Sequence, residues 1–329
     1  MKFSIIIPVY NAAHFLADCL DSCLHQGLPN DQYEIICVND GSADDSLSIL
    51  KNYSKHNSNI VIINQSNQGI CNARNNGVKI SKGKYIWFVD NDDFIEPNCL
   101  SFIYDTMADK NLDLLTFKYN NVPENAVYKV VYKNYEFNLT KESPDNTPWR
   151  IVVNKNFLVN KGICFKPGLK CQEDTLWYYY LNKNTSRQAH IDAVLYNYRI
   201  VKNSESHSKE LSKILYRGTA LMEMAIVYQE ELKEGVNKDK EHNIKARMHL
   251  ATQGSCFSFM ISRDFKSAEN NLQQLKKNKL YPYPIIWRHI LPTTSLKHSL
   301  INWVTLFYPL EGYYLFFCKL VAKKILFKL

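Results

Sequence analysis

The sequence is poor in the signatures that would settle its class at once. It has nine cysteines, an odd number, and no C-x-x-C pair. A zinc site needs thiols at short fixed spacings, so none is expected. Cys19 and Cys23 fall on one face of an expected helix and Cys37 in an expected strand. Free buried thiols in a reducing compartment are the reading that follows. The apolar run from Phe3 to Pro8 is too short for a signal peptide, and no small-residue cleavage site follows it. A cytoplasmic protein is therefore expected. No glycine-rich phosphate loop follows the first strand, where Pro8-Val9-Tyr10-Asn11 stands instead. No apolar run is long enough to span a bilayer, because Pro309, Glu311 and Gly312 interrupt the longest one. Internal repeats and low-complexity tracts are also missing.

What is present describes a globular chain. With 329 residues, 46% hydrophobic and 22% charged, it is long enough for one catalytic domain and an appendage. Its charge is uneven. From Lys209 onward there are 19 Lys+Arg against 10 Asp+Glu, while residues 1–208 hold 21 against 22. A near-neutral first part with a basic remainder suggests that the remainder meets something anionic.

Strands are expected at Phe3–Ile7, Tyr33–Val38, Ile60–Ile63, Tyr85–Val89 and Leu112–Tyr119, from short apolar runs bounded by turn residues. Between them, helical spacing marks Ala12–Gln26, with Asn11 as N-cap and Gly27 as stop. It also marks Asp44–Lys55, Gln68–Lys79 and Pro97–Ala108. Short connections between alternating strands and helices imply parallel β-α-β units. The fold class is thus α/β, a mostly parallel nucleotide-binding sheet flanked by helices. The β-rich run Val127–Phe137 breaks the rhythm and is expected to pair antiparallel at an edge. Beyond Lys209 helical spacing takes over, at 209–233, 240–261 and 264–278. The expected domains are residues 1–208 and a helical region at 209–329.

The chemistry collects at strand ends. The first strand runs into Pro8-Val9-Tyr10-Asn11 and the second into Asn39-Asp40-Gly41-Ser42. The third leads to Asn67-Gln68-Gly69 and Ala73-Arg74-Asn75, and the fourth ends in Asp90-Asn91-Asp92-Asp93. Open parallel sheets bind ligands at strand carboxyl ends, so a nucleotide site explains all four together. The D-x-D pair Asp90 and Asp92 suits a hard divalent cation, Mn2+ or Mg2+, that keeps waters and takes phosphate oxygens. An acidic turn capping the next helix is the plainer alternative.

As an ordered set, P-V-Y-N, V-N-D-G-S-x-D-D-S, N-Q-G-x-x-x-A-R-N-x-G and F-V-D-N-D-D resemble the family 2 inverting glycosyltransferases. Glu173-Asp174-Thr175 resembles that family's E-D-T block, and Tyr196-Asn197-Tyr198-Arg199 its Y-x-Y-R block. The resemblance covers about residues 3–208. It implies the A-type glycosyltransferase fold, a nucleotide-diphosphate-sugar donor and a divalent metal. It also implies that Asp90 touches ribose or metal-bound water, that Asp92 ligates the metal, and that Asn91 belongs to the donor site. Asp174, the second acid, becomes the general base, with Glu173 its rival; a charged first helical turn is the plainer use of both.

Each remaining residue has two readings. Asp40 accepts the imide N–H of uracil, or it caps a turn. Pro8, Val9 and Tyr10 shape the base pocket through their backbone, or Tyr10 is simply a packed aromatic. Arg74 reaches the base or the diphosphate; as a surface cation it would want an acid at 70 or 78, and neither position has one. Trp149 stacks on the acceptor sugar or lies in the core. Arg199, His207 and Lys202 close over the diphosphate or are solvated.

The last segment, Leu315–Leu329, sets Lys319, Lys323, Lys324 and Lys328 among large apolar residues. That pattern suits a basic amphipathic helix lying on an anionic membrane, with a core helix or dimer contact as the alternative. Nucleic acid is not expected as a partner, given the strongly apolar face. The expected activity is transfer of a sugar from a nucleotide-sugar, a UDP-sugar by preference, to a saccharide or lipid-linked saccharide. It would occur at the inner face of the cell membrane, in cell-surface polysaccharide synthesis. A nucleotidyltransferase and a non-enzymatic sugar-nucleotide-binding scaffold are the alternatives.

Overall fold

The computed structural model describes residues 1–132, 139–140, 147–169, 173–201, 211–236, 238–261 and 264–280. The chain divides into two compact units, Met1–Gly168 with Glu173–His207, and Leu169–Gln172 with Ser208–Leu329.

In the first unit, β1 (Phe3–Val9), β2 (Tyr33–Asp40), β3 (Ile60–Gln65) and β4 (Tyr85–Phe88) pair parallel in the order β3-β2-β1-β4. The crossovers are α1 (Leu16–Leu24), α2 (Ser46–His56) and α3 (Ile70–Ile80). Strands covered on both faces read as continuous apolar runs rather than alternating ones. Accordingly every residue of β1 and β2 is buried. Helix α3 approaches its face closely, because Gly77 carries no side chain: a Cβ there would fall 2.5 Å from Ile6 Cγ2.

Past β4 the sheet becomes mixed. The elements are β5 (Phe94–Ile95), α4 (Cys99–Asp109), β6 (Leu114–Pro123), β7 (Leu139–Thr140), β8 (Ile151–Asn154), α5 (Lys155–Asn160), α6 (Glu173–Asn184) and β9 (Gln188–Ile200). Strand β8 inserts antiparallel between β4 and β6, β9 runs parallel to β6, and β5 and β7 pair antiparallel with β9. The core on one side of this sheet joins Trp87, Phe117, Ile95, Leu100, Ile103 and Leu195.

Two expectations change here. Residues 127–132 form no strand, and 133–138 lie outside the described residues. The antiparallel partners among the described residues are β5, β7 and β8 instead. Helix α1 starts at Leu16, four residues later than its spacing suggests, and Asn11 does not cap it. Asn11 has a φ of 49°, and its Oδ1 accepts the Ala43 amide at 2.8 Å. It ties two strand-end loops together.

The second unit is helical: α7 (Leu211–Glu234), α8 (Lys238–Ile261) and α9 (Phe265–Lys277). Asp264 caps α9, its Oδ1 accepting the Ser267 amide at 3.1 Å. Ala220, Ala225, Tyr228, Ala251, Leu272 and Leu275 are buried in this unit. No helix among the described residues is long and apolar enough to cross a membrane. The basic tail from 281 to 329, like Lys202 and His207, lies outside the described residues.

Candidate active site

The carboxyl ends of β1–β4 share one edge of the sheet, and their loops are laced together. The Asn11 amide donates to Ser42 Oγ at 3.0 Å, the Ala12 amide to Ser46 Oγ at 2.9 Å, and the Ala13 amide to Asp44 Oδ2 at 2.9 Å. Tyr10 is 51% exposed, so it is not a core aromatic. Val9 is buried in β1, and the Pro8 carbonyl already accepts Asn91 Nδ2 at 2.8 Å. Pro8 and Asn91 therefore bind each other, which joins β1 to the acidic turn.

Asp40 serves as a cap, though not within its own turn. Its Oδ1 accepts Gln65 Nε2 at 2.7 Å and the Gln68 amide at 2.8 Å, and its Oδ2 accepts the Gly69 amide at 2.8 Å. The turn beneath it needs glycine: Gly41 has a φ of +75°, and a Cβ there would lie 2.7 Å from the Asn67 nitrogen.

The acidic turn is anchored from β9. The Asp90 amide donates to the Tyr196 hydroxyl at 3.1 Å, and that hydroxyl donates to Asp93 Oδ2 at 2.7 Å. The Arg199 amide donates to Asp93 Oδ1 at 2.7 Å, and Arg199 Nε donates to the Asp92 carbonyl at 2.7 Å. Asp93 is fully buried, and burial with the neighbouring Asp92 and Asp90 raises its pKa well above the usual range. It neither caps a helix nor faces a sugar.

Arg199 is 2% exposed. Its other nitrogens donate to the carbonyls of Glu124 and Ala126 and to Asp18 Oδ2 at 3.1 Å, and its plane lies over Phe15 and Phe94. With its donors committed to protein acceptors, it does not close over a diphosphate. Trp149 is likewise a core residue, 7% exposed. It stacks on Tyr196 and Tyr198 at 4.6 and 5.4 Å and meets Tyr119 edge-on. No face of it is left for an acceptor sugar. Removing a buried, ion-paired cation leaves its partners uncompensated. Arg199→Ala is expected to cost on the order of 3–5 kcal/mol of stability, read by chemical denaturation. An unchanged midpoint would refute this anchoring role.

The centre of the site is Arg74. It is 3% exposed, and its NH2 group pairs with Asp90 Oδ1 at 3.0 Å while NH1 pairs with Glu173 Oε1 at 3.1 Å. Its partners are thus the acidic turn and the E-D pair, 16 and 99 residues away in sequence. The charges of Asp90, Glu173 and Asp174 outweigh burial and hold its pKa above the ordinary value. Its Nε–H is buried and has no partner among the described residues.

Glu173 and Asp174 occupy the first turn of α6. Asp174 Oδ1 accepts the Thr175 amide at 2.7 Å. Burial raises both carboxyls above the usual range; Arg74 opposes this for Glu173, and the Thr175 amide, then Arg74, for Asp174. Asp92 is pushed up to about 6 by burial and by the charge of Asp90. Among the described residues no group of three or more His, Cys, Asp or Glu side chains is gathered for a metal. Divalent cations that act on phosphates need only one or two carboxylates, the rest of the shell being water and phosphate. Asp90 and Asp92, with the charge of Asp90 raising the cost of ionising Asp92, fit such a cation.

An α/β sheet ending in an acidic turn, bridged by one arginine to a second acidic pair, defines a nucleotide-sugar-handling class. Residues 4–164 match the family model described as Glycosyl transferase family 2, so this segment is similar to that family. A poly(ribitol-phosphate) beta-glucosyltransferase of Bacillus spizizenii is 42% identical over 135 residues, 40% of this chain and 21% of that protein. The chain thus spans about a fifth of that relative's length. Among solved structures, S. aureus TarS 1–349 in complex with UDP-GlcNAc superposes with a TM-score of 0.69 at 18% identity. The match covers 99% of this chain and 91% of that one. The mannosyltransferase PcManGT from Pyrobaculum calidifontis, in complex with GDP-Man and Mn2+, gives a TM-score of 0.53 at 12% identity over 99% and 88% of the two chains. The shared architecture is the A-type glycosyltransferase fold with a helical C-terminal region.

Proposed function

We propose that the chain is an inverting glycosyltransferase that moves a sugar from a UDP-sugar to a saccharide or lipid-linked saccharide in cell-surface polysaccharide synthesis. The observation that carries this is Arg74, which brings the donor-side acids Asp90 and Asp92 to the acceptor-side acids Glu173 and Asp174. The names of the relatives agree: one is described with UDP-GlcNAc, and another acts on poly(ribitol-phosphate).

The exposed Tyr10 ring stacks on the base. Asp40 carries three protein donors, and a carboxylate has about four lone-pair sites, so one is left for the uracil imide. The buried Nε–H of Arg74 lacks an acceptor among the described residues and is the donor left for the diphosphate. Asp90 and Asp92 would hold Mn2+ or Mg2+, which as a Lewis acid neutralises charge on a departing diphosphate.

Asp174 is the base. Glu173 is tied up by a guanidinium, which weakens it as a proton acceptor. Asp174 makes no such contact among the described residues, and its raised pKa suits proton abstraction. It takes the proton of the acceptor hydroxyl while that oxygen attacks C1 opposite the diphosphate. The C1–O bond to the diphosphate breaks, and its electron pair leaves on UDP.

Calorimetry with a panel of nucleotide-sugars, with and without manganese, is the test. Binding of a UDP-sugar that strengthens with manganese, and an NMR spectrum showing inverted anomeric configuration in the product, are expected. Failure to bind any nucleotide-sugar would overturn the reading, and a retained configuration would overturn inversion. The basic tail supports a site of action on an anionic membrane, which vesicle flotation of the whole chain against a 312–329 deletion would test.

A further inference from the structure

One residue beside Arg74 has a role that substrate binding does not require. Asn75 clamps a backbone position 90 residues away: its Nδ2 donates to the Phe165 carbonyl at 2.7 Å, and its Oδ1 accepts the Phe165 amide at 3.0 Å. Both polar ends of the side chain are spent on one residue of the loop after α5. The Phe165 ring lies under the Arg74 guanidinium at 5.0 Å and stacks on Trp177 at 4.7 Å. Trp177 belongs to α6, one turn beyond Asp174. Phe88, the last residue of β4, meets both rings edge-on at 5.2 and 5.5 Å.

A continuous packed path therefore runs from α3 through Phe165 to the first turn of α6. The same path touches the strand that carries the acidic turn. Aromatic pairs in this geometry add stability beyond the area they bury. The clamp uses both ends of the amide, which donates to the carbonyl and accepts from the N–H of one residue, Phe165.

We infer that Asn75 is a positioning residue for proton transfer: by fixing Phe165 it sets where the first turn of α6, and with it Asp174, stands relative to the acidic turn. This rests on the assignment of Asp174 as base. It goes beyond that assignment, because it places the precision of the base in a different helix, α3.

Asn75→Ala should lower kcat by about 100-fold, the loss that a misplacement near 1 Å can bring. Donor Kd and binding stoichiometry by calorimetry should change by less than about twofold, since Asn75 makes no donor contact in this account. Asn75→Asp keeps the acceptor for the Phe165 amide and loses the donor, so its kcat should fall between the two. Hydrogen exchange reads the clamp without turnover: amides from 161 to 176 should lose protection while those of β1–β4 keep theirs. If Asn75→Ala does not fold, Asn75→Asp carries the same test, since it keeps the side-chain shape and one of the two backbone bonds. Unchanged kcat, or unchanged exchange at 161–176, would overturn the inference. A parallel loss of donor affinity would also overturn it. If Asn75→Ala shows the exchange effect but the wild-type protein turns over no sugar, the functional reading falls instead.

Discussion

Asp174→Asn is expected to bind donor like the wild type and to turn over slower by on the order of 10²–10⁴, the usual contribution of a general base. The amide keeps the shape of the side chain and its hold on Thr175, but it cannot take a proton. Burial raises the Asp174 carboxyl, so its base form is lost at a higher pH than an ordinary Asp near ~3.9. In the wild type kcat should therefore fall as pH drops through that raised value. In the variant the residual rate should lack this limb. Glu173→Gln should act differently. It breaks the pair with Arg74 and leaves a buried guanidinium short of one acid, so donor affinity and stability should both move. If Glu173→Gln removes the acid limb at unchanged donor affinity, and Asp174→Asn does not, the two acids are reversed.

Asp92→Asn is expected to abolish manganese-dependent donor binding in a folded protein. A neutral amide is a poor ligand for a hard cation, while the Asp92 carbonyl that holds Arg199 is untouched. Stability should not suffer. The Asp92 pKa is raised in the folded state to about 6, so its contribution to stability is present below the ordinary carboxylate range and lost as pH rises through about 6. Asn removes that loss, and the variant should melt no lower than the wild type at neutral pH. Calorimetry with and without manganese and a thermal melt on one preparation decide it. Manganese-dependent affinity that survives in the folded variant would take Asp92 out of the metal site.

The fold was legible where local pattern and burial coincide. Strands β1, β2 and β4 are largely apolar runs because both their faces are covered, and each ends in turn residues. Strands β8 and β9 were not legible. β8 is four residues long and lies between the acidic turn and α5, with nothing in its period to set it in the middle of the sheet. β9 carries polar residues inside a buried setting, since Asn197 donates to Glu96 and Arg199 reaches Asp18. Those partners lie about 100 and 180 residues away, where no local signal reaches. Asp18 itself carries no mark in the sequence beyond a place in the first turn of α1.

By itself the sequence picked out the candidate side chains: the acidic turn, the E-D pair, the arginine after the third strand. Their types and order depend on local backbone and on ligand chemistry, both written in short motifs. Only the tertiary structure decided their division of labour. Arg74 proved to be a bridge because two acids from distant segments converge on one guanidinium, and burial makes that pairing strong. Trp149, Arg199 and Asp93 proved to be anchors because they are buried and packed or hydrogen-bonded to protein groups. Exposure and partner count are properties of the packed chain, and they separate a residue that meets substrate from one that holds the residues which do.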